Sequence, residues 1–300
     1  MGQGSGSIRT SLTARGAGRR AGIGARADLL AVVLLAVFVL ATLVGPAGAL
    51  VWNTLWTGGR LSLSVYARIL QSPGLRQAIT TSLLLATAAA TVGTALGALL
   101  ALAVHHTVGE RFRSTFLALA TVANNYGGVP LAFGFILLVG STGMITLLAN
   151  GLLGHRAEIE LVSFWGLIAV YLYFLIPLCV LTFLPSLAAL RAELREAAAV
   201  HGARAYHFWR YVGGPILVPP LLASFVLLFA SALGSYSTPW AIIGGGADLT
   251  LMTVQIGFVF GESGFDIAVA DGLAVMIIVL VSVSLVAYHM LMSRTARWIR

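Results

Sequence analysis

The sequence predicts an all-α integral membrane protein with six transmembrane helices, and three observations carry that expectation. Of its 300 residues 59% are hydrophobic and only 9% charged, where an ordinary soluble domain carries about 25% charged residues. Its mean hydropathy is +0.95; a core surrounded by water cannot absorb that much apolar surface. Six stretches also reach the ~20 apolar residues that a helix needs to cross the hydrocarbon layer. Finally, runs such as LLAVVLLAVFVLATLV and LAVMIIVLVSVSLVAY do not alternate apolar with polar residues, which argues against the strands of a transmembrane barrel.

The spans fall near 29–52, 78–104, 114–139, 161–186, 216–240 and 267–292. Residues 1–27 are rich in Gly, Ser and Arg without apolar periodicity and read as a disordered tail. Arg19 and Arg20 before an apolar run, with Ala47-Gly48-Ala49 beyond it, invite a signal-peptide reading. The run continues from Leu29 to Trp52, too long for an ordinary signal core, so an uncleaved first helix is expected. Residues 28–73 then form this helix and an external loop, 74–290 carry the other five spans, and 291–300 form a second tail. Arginines assign the sides, because cytoplasmic loops collect them. With the N-terminus inside, fourteen arginines are cytoplasmic, among them Arg111, Arg113, Arg191, Arg195, Arg204 and Arg210. Only Arg60, Arg68, Arg76 and Arg156 are outside, where Glu158, Glu160, Asp248, Glu262 and Asp266 also lie. Both termini are expected in the cytoplasm. Anionic lipid headgroups account for the net charge of +8, without nucleic acid.

Residue usage excludes some chemistry. All 18 basic residues are Arg, so neither a phosphate-binding loop with its Lys nor a Schiff-base enzyme is available. The single cysteine, Cys179, lies in the fourth span and reads as a packing residue. His105, His106 and His289 stand without the carboxylates or Cys of a metal site. No nucleophile–base pair suggests a catalytic residue.

Between spans four and five the chain reads LRAELREAAAVHGARAYHFWRYVGGP, residues 190–215. Strong helix formers run to Val200. Gly202 supplies the positive φ of a helix end, and Pro215, Pro219 and Pro220 are expected to mark re-entry into the membrane. Tyr206, Phe208 and Trp209 read either as anchors for a partner or as residues at headgroup level. The spacing Glu196-Ala197-Ala198, three residues, Gly202, then nine residues to Val212-Gly213-Gly214-Pro215 resembles the EAA loop of bacterial type I ABC importer permeases. Val stands for the loop's Ile and Gly for its Leu. The resemblance covers about 74–290, with the EAA loop over 187–215, and is strongest to spermidine/putrescine permeases through ALGSYSTPWAIIGGG, residues 232–246. It implies a type I permease fold in the inner membrane of a bacterium. Glu196, Ala197, Ala198, Gly202, Tyr206, Phe208 and Trp209 would dock a cytoplasmic ATPase dimer. A second permease subunit and an external solute-binding protein complete the assembly; ATP and Mg belong to the ATPase, and this chain holds no cofactor.

Polar residues inside spans are costly and so suggest a path for solute. Asn124, Asn125 and Tyr126 precede Gly127, Gly128 and Pro130, which kink or unwind span three. Tyr171 and Tyr173 lie in span four, Ser235 and Tyr236 end span five with Ser237 and Thr238, and Asp271 opens span six. A cationic amine suits such a set through the carboxylate and cation–π contacts. The same residues equally serve contacts between helices, and Asp271 equally caps its own. Phosphonate, sulfate, thiamine, iron and sugar permeases share the loop, and an ion-gradient transporter is the rival class.

Overall fold

A computed structural model describes residues 32–57, 59–107, 109–141, 143–153, 160–187, 190, 192–244, 249–261 and 267–299. The expected N-terminal tail, Arg156, Arg191, Glu158, Asp248, Glu262, Asp266 and the Gly245–Gly246 pair lie outside them. The chain divides after Leu61 into two units, so the boundary falls within the external loop expected over 53–73.

The first unit is one apolar stretch, Val32–Leu55. It comprises α1 (32–39), a π turn at Leu40–Val44 and α2 (Gly45–Leu55). Pro at the start of α2 offers no N–H, and the π turn before it takes up the irregularity. Two short strands follow, β1 (Trp56–Thr57) antiparallel to β2 (Arg60–Leu61), with Trp56 opposite Leu61. Gly59 makes the tight turn at φ +78. Trp52 and Trp56 stack at 5.0 Å.

The second unit begins with α3 (Ser64–Gln71), whose Val65 and Ile69 are one turn apart and both buried. They seat on α14 (Ile267–Ile299), where a Cβ at Gly272 would sit 2.8 Å from Ile69 Cδ1. The longest helix, α4 (Pro73–Thr107), runs against α8 (Phe164–Leu187). Gly93 and Gly97, four residues apart, share one face of α4, and small residues so placed let membrane helices approach closely. A Cβ at Gly97 would collide with the Cβ of Cys179 and lie 2.9 Å from its Sγ; one at Gly93 would be 3.2 Å from Leu175 Cβ. The main core continues through Leu85, Ala89 and Ala90 of α4, Leu167, Val170 and Leu184 of α8, and Leu228 and Leu233 of α11 (Gly214–Leu233). Hydroxyls join helices as well: Thr182 and Ser224 lie 3.0 Å apart between α8 and α11. The N–H of Met252 in α13 (Met252–Gly261) donates to Ser82 Oγ at 2.8 Å. Large apolar side chains such as Leu84, Leu99, Leu119, Leu137 and Val283 face outward, as lipid-facing surface does.

Among the described residues, six helical stretches are long and apolar enough to cross a membrane: 32–55, 73–105, 129–151, 164–187, 206–233 and 267–293. Four agree closely with the sequence; three details differ. The region expected as one span over 114–139 is two helices, α5 (Glu110–Asn125) and α6 (Val129–Val139), with α7 (Met144–Leu153) beyond. Gly128, at φ +76, turns the chain between the first two. The fifth span starts at Tyr206 rather than 216 and ends at Leu233 rather than 240. Its prolines do not open it. Pro215 is the second residue of α11, directly after a helical turn, and Pro219 and Pro220 lie within the helix. At the C-terminus α14 stays helical to Ile299, so the segment expected as a tail over 291–300 continues the sixth helix through its described residues.

Candidate functional site

Two regions collect the polar residues singled out in the sequence. One is a pair of interruptions in the membrane helices. After α5 the chain breaks at Tyr126–Gly128; after α11 it breaks at Gly234–Tyr236 before α12 (Ser237–Ile243). The breaks meet. The Gly128 N–H donates to Thr238 Oγ1 at 2.9 Å, and the same hydroxyl donates to the Gly128 carbonyl at 3.4 Å. A Cβ at Gly128 would lie 2.9 Å from Ser237 Oγ. The positive φ and this crowding both require glycine. Ser235 stands beside the Tyr171 hydroxyl of α8. The Tyr236 hydroxyl reaches to 2.7 Å from where a Gly257 Cβ would stand on α13. Tyr236 leans on Trp240 at 5.6 Å, and Trp240 on Phe258 at 5.0 Å. One short turn thus touches α6, α8 and α13.

The individual side chains separate into open and closed. Tyr126 is 52% exposed and Tyr236 43%. Asn124 is half-buried; Asn125 is exposed, with its Nδ2 donating to the Thr121 carbonyl at 2.8 Å. Tyr173 presents its ring edge-on to Phe135 at 6.1 Å, across α8 and α6. Tyr171, at 1% exposure, belongs to the core and lines no open path in this structure. Asp271 is 7% exposed within α14, and its neighbour Gly272 packs against Val65 and Ile69 of α3. The paired breaks are linked through α6, α8, α12 and α13. Among the described residues, no three His, Cys, Asp or Glu cluster as a metal site would require.

The other region is the polar loop. It folds as α9 (Ala192–Val200), a turn, α10 (Ala205–Phe208) and a π turn, Trp209–Gly213, that leads straight into α11. Gly202 has φ +75. Its N–H bonds the Ala199 carbonyl at 2.9 Å and the Ala203 N–H the Ala198 carbonyl at 3.0 Å. This double closure is the Schellman ending, which places a left-handed residue at Gly202. Just before the turn, His201 Nδ1 lies 2.9 Å from the Ala197 carbonyl. Glu196 and Ala197 are exposed and Ala198 half-buried; Leu194, Ala199 and Val200 are exposed too. Tyr206 and Trp209 are exposed, and Arg210 Nη1 reaches the Tyr206 hydroxyl at 3.5 Å. Phe208 is placed differently. It is only 6% exposed, its ring edge-on to Trp209 at 5.9 Å. A Cβ at Gly213 would meet the Trp209 ring at 2.9 Å and the Phe208 ring at 3.3 Å, so the glycine makes room for both.

Sequence reasoning missed the Gly128–Thr238 link and the Gly93/Gly97 contact with Cys179. Signals for both were present: two Gly/Pro-interrupted apolar segments point to a common site, and small residues four apart mark a helix contact.

No family model matches the chain. Among curated proteins it is 25% identical over 260 residues to the putative ferric transport system permease protein FbpB 1 of Haemophilus influenzae, covering 84% of this chain and 39% of that protein. It is 27% identical over 235 residues to the thiamine transport system permease protein ThiP of Salmonella typhimurium, covering 77% and 39%. With ThiP of Haemophilus influenzae it shares 31% over 124 residues, covering 41% and 23%. The chain thus spans about two fifths or less of these relatives. Those names give ferric iron and thiamine, and no support for the polyamine expected from residues 232–246. Among solved structures, a bacterial ABC transporter involved in the import of the acidic polysaccharide alginate superposes with a TM-score of 0.66 at 17% identity, covering 91% of this chain and 99% of that one. A second alginate transporter structure, in complex with a pentasaccharide-bound periplasmic protein, gives 0.62 at 18%, covering 92% and 96%. The chain is a multi-pass helical membrane protein with the fold of an ABC transporter permease.

Proposed function

We propose that this chain is the permease subunit of an ATP-driven importer in the inner membrane of a bacterium, with both termini cytoplasmic. The observation that carries the reading is α9. It is an exposed helix bearing Glu196, Ala197 and Ala198, closed by the left-handed turn at Gly202. Small side chains allow close backbone approach, Glu196 offers a carboxylate to a basic partner, and Tyr206 and Trp209 add aromatic anchors. The partner is a cytoplasmic ATPase dimer, which binds ATP and Mg. An external solute-binding protein delivers cargo, as the periplasmic protein of the alginate system suggests. The FbpB relative is long enough for two such units, since 260 aligned residues are 39% of it. This supports pairing with a second permease unit.

The cargo we favour is an organic cation with a flat ring, of the thiamine kind. Exposed Tyr126 and Tyr236 rings and neutral Asn and Ser groups suit cation–π and stacking contacts. A ferric ion calls for hard, anionic oxygen ligands, and those are sparse at the paired breaks. Two measurements test the reading. In a Cys179→Ala background with Ala197→Cys, addition of the ATPase to inside-out vesicles should protect position 197 from an impermeant maleimide; undiminished labelling would sink the coupling role. Uptake of labelled thiamine, ferric citrate and spermidine should favour thiamine, and selective accumulation of either alternative would replace that cargo.

A further inference from the structure

We propose that Thr238 is a positioning residue of the solute path, holding the two interrupted helices in register so that Tyr126 and Tyr236 act as one recognition surface. The inference rests on the permease reading above and adds the element that shapes its site.

The N-cap of α6 is Gly128, which has no side chain to accept from the first turn. Its own N–H is satisfied by Thr238, 110 positions along the chain. The hydroxyl that accepts this bond also donates to the carbonyl of Gly128, so one side chain serves both polar groups of one residue. It does so at 2% exposure, where water is not at hand and an unserved peptide group is expensive. Tyr126 lies two residues before Gly128 and Tyr236 two residues before Thr238. Two residues span at most ~7 Å of chain, so each exposed ring is tied closely to the same hydrogen-bonded junction. The turn has further fixed points: Ser235 on Tyr171, and the Tyr236 hydroxyl beside Gly257. These fix Tyr236 to α8 and α13. Beside the packing of Ser237 and α12 on this break, Thr238 carries that placement across by hydrogen bonds to the break that holds Tyr126. Removing its hydroxyl leaves each ring in place on its own helix and loosens only their mutual setting.

The test separates position from partner. In membranes carrying the full chain with Cys179→Ala, the pair Gly127→Cys and Ser237→Cys is treated with a short bifunctional maleimide. A side chain at Gly127 meets open space, with nothing within 4 Å, and Ser237 Oγ is 2.9 Å from the neighbouring Gly128 Cβ position. The two thiols thus stand beyond direct disulfide contact and within reach of the linker, and efficient cross-linking is expected. Adding Thr238→Val, which keeps shape and deletes the hydroxyl, should reduce the yield severalfold, and Thr238→Ser should retain it. With native cysteine content, Thr238→Val should raise the KM for uptake about fivefold, the worth of a hydrogen bond. ATP hydrolysis at saturating cargo should stay within about twofold, and Thr238→Ser should restore KM. The uptake probe is whichever of thiamine, ferric citrate and spermidine the unmodified chain accumulates. Unchanged cross-linking in the Val variant overturns the proposal. So does lost cross-linking with an unchanged KM, or a Ser variant as poor as Val. The cross-link is read without any ATPase, so failure of the position 197 protection assay would count against the permease reading and not against this one.

Discussion

Replacing Gly202 by valine isolates a backbone effect. A Cβ at this position meets nothing within 4 Å, so the substitution adds no collision. What it adds is a β-branched side chain at φ +75, in the left-handed region where an L-residue costs about 1–2 kcal/mol and a β-branched one is a genuine outlier. Opening the turn instead would release the bonds from Gly202 to Ala199 and from Ala203 to Ala198, at about 1 kcal/mol each. Either route costs about 2 kcal/mol, which at 1.4 kcal/mol per decade depopulates the docking geometry about 30-fold. Affinity for the ATPase should fall by roughly that factor, and ATP-driven uptake in proteoliposomes with it, while membrane insertion stays normal. Asparagine tolerates this region, so Gly202→Asn should stay within about threefold of wild type. Wild-type affinity in the Val variant would refute the reasoning, as would equal losses for Asn and Val, which would point to a side-chain contact.

Gly97→Ala should destabilise the α4–α8 crossing by about 1–3 kcal/mol, the usual cost of overpacking. Cys179→Ala should not rescue it, because the collision is with the Cys179 Cβ; Cys179→Gly should, as thermal unfolding in detergent would show. Cys179 is fully buried, so the folded chain should resist maleimide until denatured, and rapid labelling of native protein would contradict the packing. Cysteines at Ala203 and Arg60, in a Cys179→Ala background, should label from opposite faces of the membrane, whereas labelling of both from one side would overturn the assigned topology.

What could be read from the sequence followed the range of the physics involved. The spans were legible because transfer into lipid is a sum over a local window. Gly202 was legible because a helix end demands positive φ from the residue that sits there, whatever surrounds it. The break after Asn125 was legible in Gly127, Gly128 and Pro130 for the same reason. Its pairing with Ser237 and Thr238 was not, since a hydrogen bond across 110 positions leaves no local trace. Phe208 looked like an exposed anchor until Gly213, five residues on, left room for its ring. Pro215, Pro219 and Pro220 looked like a boundary because a proline N–H is missing in any helix; whether the helix continues depends on packing against α4, α8 and α14. Asp271 drew attention as an acid in an apolar run, and only the fold shows it beside the seat of α3.

The π turn at Trp209–Gly213 takes up one extra residue between the loop and the membrane helix that follows it. Its closing bond runs from the Gly214 N–H to the Trp209 carbonyl, which takes one residue more than an α turn. In a continuous α-helix an added residue would rotate everything before it by about 100° around the axis. Here the wider turn absorbs that residue, so α10 and the loop before it keep the phase that an α-helix one residue shorter would give them. The buried stripe of α11 is unaffected. Length and aim are thus uncoupled: one codon can be lost at this junction without re-pointing the loop or rewriting a contact inside the bundle.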